Sequence, residues 1–218
     1  MQQSITVPPN KEHSTHHITT QQERLLAHAE AFQSGIVLRL APNTGVHRNT
    51  AEGRLRSTKR APDRAAAVAR LRLNDHHSAE FVHMHAPHIP LKVRTFQALG
   101  LSLTQAFELA ADNAIARAST PSGLALRARP SALLTGQPSA GMQMDTPGSL
   151  PSGWLAHPHL HGIIHRHFSN VFGAAPVFFA PDHRTVLLSP TACPLLEHWI
   201  SQRFGKVQPI RFPTLVSA

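Results

Sequence analysis

Between Thr20 and Phe32 the apolar residues Leu25, Leu26, Ala29 and Phe32 recur three and four positions apart, the spacing that lines one face of an α-helix. Thr20-Gln-Gln-Glu23 matches a capping box at its start and Gly35 supplies a stop. Residues 1–18 are polar, contain Pro8-Pro9 and have no apolar period, so they cannot bury enough surface to offset the entropy of ordering. They predict a flexible tail, with residues 19–218 as a single domain. Ile36-Val-Leu-Arg-Leu40 then reads as a buried strand ended by Pro42-Asn43.

Around residues 46–60 the pattern is ambiguous, because Arg54-Leu55-Arg56 alternates like an exposed strand while Gly53 and Thr58-Lys-Arg60 suit a loop. Ala65 to Leu73 has the alanine content of a helix, yet its end alternates as a half-buried strand would, which favours a strand from Val68 to Leu73. Asn74 to Ser78 reads as a turn and Glu80 to His85 as the returning strand of a hairpin. After Leu91-Lys-Val-Arg94 comes the clearest helix, capped by Ser102 with Gln105 three residues on and lined by Leu103, Phe107, Ala110, Ala114 and Ala118. Leu124 to Arg129 alternates like a strand, and residues 135–153, rich in Pro, Gly and Ser, predict a mobile insertion or a functional flap. From His157 to Phe172 the apolar residues fall on one half of a helical wheel. Pro176 to Ala180 and Thr185 to Leu188 predict two strands joined by the turn Pro181-Asp-His-Arg184, Leu195 to Phe204 a closing helix, and Val207 to Phe212 a last strand. The sum is an α+β fold, a mixed or antiparallel sheet with three to four helices packed against it.

Composition narrows the class. With 18 prolines, 12 glycines and 15% charged residues in 218, fibrous, collagen-like and coiled-coil architectures are excluded. A single cysteine, Cys193, allows no intramolecular disulfide and no Cys-x-x-Cys zinc or redox motif, which suits a reducing cytoplasm. The first residues lack the basic start and apolar stretch of a secretory signal, and nowhere do about eighteen apolar residues run together, so no membrane partner is expected.

Charge gives the first functional clue. Lys and Arg outnumber Asp and Glu by 21 to 12, and nine of the basic residues lie between Arg39 and Arg72 against only Glu52 and Asp63. Arg48, Arg54, Arg56, Lys59, Arg60, Arg64, Arg70 and Arg72 form a basic patch that would face an acidic protein partner or neutralise phosphates. No aromatic residue lies between Phe32 and Phe81 to stack on single-stranded bases. A solvated basic loop and strand surface is the plainer reading of the same residues.

The order helix LSLTQAFELAADNA, strand, helix, hairpin PVFFAPDHRTVLLSP, helix, final strand resembles the YtpQ-like bacterial proteins, a domain family of unknown function. Leu103, Phe107, Ala111 and Asn113 fill places similar to that family's helix, and Pro181-Asp-His-Arg184 is similar to its polar turn. The likeness covers roughly residues 79–212 and the 135–153 segment departs from it. It implies an α+β fold and carries no activity with it.

Seventeen histidines give the second clue. His83 and His85 would share one face of a strand, with His88 beyond Pro87, and His157, His161 and His165 would stack along one face of a helix. Pairs at this spacing can chelate zinc through neutral ring nitrogens, but a closed site needs further ligands. No Glu or Asp lies between His157 and Phe172, and HExxH is absent. An exposed histidine face and a pH-responsive cluster are the competing readings.

Other chemistry has less support. Cys193 falls at the start of the closing helix, where a thiolate is favoured, although a small half-buried residue beside the helix cap is the plainer reading. Neither Gly-x-Ser-x-Gly nor a phosphate- or dinucleotide-binding glycine motif is present. Trp154 is either a packed residue or an exposed anchor for a partner. The leading expectation is a non-enzymatic intracellular adaptor, immunity-type or regulatory domain, needing no cofactor and meeting an acidic partner through its basic segment. A zinc-dependent hydrolase built on the two histidine groups, and a nucleic-acid-associated protein, are the alternatives.

Overall fold

The computed structural model describes residues 13–43, 66–136, 141–205 and 207–210. The chain divides into two compact units, Met1–Ser34 and Gly35–Ala218. The first holds α1, His13–Ser34. This helix starts seven residues before the Thr20 cap, within the segment expected to be a flexible tail. No Pro or Gly lies between His13 and Ser34, so nothing local stops the helix from extending through that cap signal.

In the second unit the elements follow as β1 Ile36–Pro42, β2 Arg70–Arg72, β3 His77–His83, β4 Ala86–Pro90, α2 Val93–Ala98 and α3 Leu103–Ala118. Next come β5 Ser119–Thr120, β6 Gly123–Leu124, β7 Arg127–Pro130, α4 Ala132–Thr135 and β8 Met142–Asp145. A 3₁₀ turn Pro151–Leu155, α5 Pro158–Phe172, β9 Val177–Phe179, β10 Val186–Ser189 and α6 Pro194–Phe204 complete it. The fold is α+β. The four long helices match those expected, and α2 and α4 are short additions. Among the described residues no helix is long and apolar enough to cross a membrane.

One sheet runs β1-β3-β2, with β4 on the same edge of β3 as β2; a second runs β7-β8-β10-β9; β5 and β6 form a small hairpin, and every one of these pairings is antiparallel. The β2–β3 turn is closed by Asn74, whose Oδ1 accepts the backbone N–H groups of His76 and His77 at 2.8 Å each. That tight closure lets β3 pair from His77, three residues ahead of the expected start. It ends at His83, where the register with β4 shifts.

Ser102 and Gln105 make the reciprocal capping box that opens α3, and the small residues Ala106, Ala110, Ala111, Ala114 and Ala118 are buried along that helix. The side chain of Asn113 donates to the Ile36 carbonyl at 2.9 Å, tying α3 to β1. Phe81 meets Phe96 at 4.9 Å and Phe107 at 6.5 Å between ring centres.

The strand expected over Leu124–Arg129 is split between β6 and β7, because Leu124 is used to close the hairpin with Ser119. The stretch expected to be a mobile insertion is corrected more deeply. Residues 137–140 lie outside the described residues, but Met142–Asp145 pairs on both edges, with β7 and with β10, and the 3₁₀ turn after it is wholly buried. Pro147 and Gly148 suit the turn that follows β8, and the short alternating run Met142-Gln-Met-Asp145 gains its ladder only from partners distant in sequence. Trp154 is fully buried rather than an exposed anchor. Its Nε1 donates to Ser149 Oγ at 2.8 Å, and that hydroxyl donates to Thr146 Oγ1 at 3.0 Å. Of the last strand, Ile210 makes a single bridge with Phe178; Lys206 and the residues from Arg211 on lie outside the described residues.

Candidate polar cleft

The register of the first sheet sets the charges in the second unit. Arg39 on β1 and Arg70 on β2 both stand directly opposite Glu80 on β3. Side chains in register on one face lie within contact distance, so two guanidinium groups converge on one carboxylate. Arg39 donates through Nε at 3.1 Å and Nη2 at 2.7 Å to Glu80 Oε2, and Arg70 Nη2 donates to Oε1 at 2.6 Å. Arg39 Nη1 also donates to the Pro87 carbonyl at 2.9 Å. Glu80 is only 5% exposed. A carboxylate so deep is tolerated because both oxygens receive charge-assisted hydrogen bonds.

This triad lies in a cleft of about 320 Å³ whose other walls are Leu40, Ala41 and Pro42 from β1 and Ala180, Pro181, Asp182 and His183 from the β9–β10 turn. Asp182 holds that turn rigid. Its Oδ1 accepts the backbone N–H groups of Arg184 and Thr185 at 2.7 Å each, and its Oδ2 accepts the Thr185 hydroxyl at 3.1 Å. Burial pushes the His183 imidazole below its ordinary value; Asp182 opposes this, while Arg39, Arg184 and His88 add to it.

The expected basic patch is only partly visible. Arg48, Arg54, Arg56, Lys59, Arg60 and Arg64 lie outside the described residues. Arg70 belongs to the triad, and Arg72 pairs with Asp75 in an exposed contact.

The histidines do not form the expected stack. His157 is the N-cap of α5, with extended backbone, so it stands off the helix and cannot share the face of His161 and His165. Its Nδ1 accepts the His159 N–H at 3.2 Å, its ring lies 4.3 Å from that of Phe107, and its Nε2 is 3.4 Å from the Glu108 carboxylate, too far for a strong bond. Burial lowers its pKa against the pull of Glu108. His161 and His165 do come together, with ring centres 5.7 Å apart, beside Phe178. Burial, with the His165 charge, pushes His161 down to about 4. His83 and His85 have ring centres 5.3 Å apart, but β3 ends at His83, so they do not share the expected strand. Among the described residues no three His, Cys, Asp or Glu side chains gather as a metal-donor group, so the two histidine groups do not converge on a zinc site there. Cys193 caps α6 half-buried, packed on the cluster of Phe179, Leu187, Leu196 and Ile200.

Arg39, Glu80, Asp182 and His183 do not stand out as site residues in the sequence. A signal existed for two of them, since Arg39 interrupts Ile-Val-Leu and Leu-Ala, and Glu80 stands between Ala79 and Phe81-Val82. A lone charge inside an apolar strand needs a partner of opposite sign. Comparison of the chain with protein-family models, with curated proteins and with solved structures finds no match, so function rests on the geometry of the site.

Proposed function

We propose that this chain is a non-enzymatic binding domain that meets an acidic protein partner through a positively charged surface, of which the Arg39–Glu80–Arg70 cleft is the described part. The observation that supports the reading is the sharing of one buried carboxylate by two guanidinium groups that line an open cleft, which leaves the triad with one net positive charge. The basic segment Arg48–Arg64 leads in sequence directly to β2 and adds to the same sign. A catalytic reading has less support at this cleft. Both Glu80 oxygens accept hydrogen bonds from arginines and the Asp182 oxygens are engaged in a turn, so neither carboxylate has an oxygen turned to a substrate proton. The single cysteine, half-buried, is in keeping with a cytoplasmic setting.

The test is a pair of titrations of the full chain at about 50 mM salt, where electrostatic attraction is strong. One uses a labelled poly-glutamate peptide and the other a labelled DNA duplex of matched charge. Saturable binding of the peptide, stronger than that of the duplex and weakened by added salt, supports the acidic-partner reading. Absence of peptide binding, or preference for the duplex, overturns it.

A further inference from the structure

The cleft differs from a general basic surface in how its donors are arranged. Arg39 spends Nε, Nη1 and Nη2 on Glu80 and the Pro87 carbonyl, and its side chain is 17% exposed. It is therefore a fixed part of the floor. Arg70 is 42% exposed and spends only Nη2 on Glu80. Its Nε and Nη1 have no partner among the described residues. Nη2 keeps a second N–H, which lies parallel to that of Nε or of Nη1, so one edge of the guanidinium fork can still donate two parallel hydrogen bonds while the other Nη2 N–H holds it to Glu80.

The charge around the cleft sets what the fork can take. The lining charges, Arg39 and Arg70 against Glu80 and Asp182, cancel, and Arg184, whose charge acts on the lining residue His183, adds one positive charge beside them, with His183 neutral near pH 7. One surplus charge balances a monoanion. A phosphate monoester, nearly a dianion at that pH, would be left half-compensated beside the buried Glu80 carboxylate. Size and wall chemistry agree. About 320 Å³ holds roughly ten waters' volume, enough for one side chain or one chain end, and Ala41, Pro42, Ala180 and Pro181 offer an apolar wall for a methylene stem.

We infer that the cleft receives a single carboxylate group of a partner polypeptide, either an Asp or Glu side chain or a chain terminus, held bidentately by Arg70 with Glu80 and Arg39 as the residues that position it. This inference rests on the acidic-partner reading and narrows it to one chemical group at one place. Glu80 acts here by aiming Arg70 and is a positioning residue.

The experiment is an NMR titration of the full chain with four small probes. N-acetylglycine stands for a chain terminus, N-acetylglutamate α-amide for an acidic side chain, N-acetylglycinamide for a neutral control and phenyl phosphate for the dianion. At least one carboxylate probe is expected to bind saturably, on the order of 1 mM as befits one ion pair, shifting the amides around Arg39 and His183. The tighter of the two carboxylates names the source. Arg70→Gln is expected to weaken that binding at least about tenfold, the scale of a lost charge-assisted bond, while Arg70→Lys, which keeps the charge and loses the fork, weakens it less; Arg72→Gln, next on the same strand, leaves it unchanged. The inference is overturned if neither carboxylate binds, if phenyl phosphate binds more tightly, or if Arg70→Gln and wild type bind alike. Poly-glutamate binding that survives Arg70→Gln would sink this inference and leave the acidic-partner reading standing, whereas loss of poly-glutamate binding by the wild type removes both.

Discussion

A β-carbon added to Gly153 would lie well inside 3.0 Å of the carbonyl oxygen of Leu38, closer than real Cβ atoms come to any neighbour. The 3₁₀ turn presses its backbone against β1 at this point. Ser152 Oγ accepts the Leu40 N–H at 3.2 Å from the same turn, so β1 is held on that edge as it is held by β3 on the other. Neither backbone has room to yield. Gly153→Ala is therefore expected to destabilise the protein by about 1–3 kcal/mol or more, as overpacking in a rigid core does. Urea unfolding measures it, and a midpoint equal to that of the wild type would contradict this account of the contact.

Trp154 is fully buried with its one polar atom satisfied by Ser149. Trp154→Phe removes the donor and leaves space, while Ser149→Ala orphans the indole N–H at a cost of about 1–3 kcal/mol. The double variant is expected to lose less than the two single losses combined, because the remaining groups no longer include an unpaired donor. Strict additivity in denaturant titrations would mean that the bond has no energetic role.

The Arg39–Glu80 pair and the Arg70–Glu80 pair share a carboxylate but not an environment. With the two arginine side chains 17% and 42% exposed, Arg39→Met is expected to cost a large part of the about 3–5 kcal/mol typical of breaking a buried pair, and Arg70→Met no more than about 1 kcal/mol. Arg39→Met combined with Glu80→Leu is expected to recover much of the first loss, since no lone charge then remains inside. Equal losses for the two arginine variants would show that burial does not set the difference.

Four histidines, His77, His157, His161 and His183, are pushed down by burial first of all. For His161 the unfolded chain takes its proton near 6.5 and the folded chain only near 4. Between those values the unfolded state binds more protons, so the contribution is complete above 6.5 and is lost as the pH falls toward 4. A single such group gives a slope of at most about 1.4 kcal/mol per pH unit in that window. Urea midpoints are expected to fall from about pH 7 to about pH 5, and to fall less steeply in His161→Leu. A variant whose midpoint tracks the wild type across that range would exclude His161 as a source of the acid sensitivity.

Much of the fold was legible where its cause lies within a few residues. Ser102 and Gln105 complete their capping box within one turn, Asn74 closes its own hairpin, and Gly173 and Gly205 follow the helices they end. The site was less legible. His157 lies four residues before His161 and reads as the first of a stack, yet Pro158 starts the helix and leaves His157 outside it. Arg39 and Glu80 are 41 residues apart, and nothing in either neighbourhood names the other.

The order of the four long helices and of the strands that begin and end the fold, the basic balance and the absence of a disulfide framework were determined by the sequence itself, because helix period, strand alternation, capping and turn chemistry act over distances of up to about four residues. Tertiary structure decided the rest. It placed Met142–Asp145 in the middle of a sheet, buried Trp154, and set two arginines on one glutamate, because strand register and burial depend on which distant segments meet.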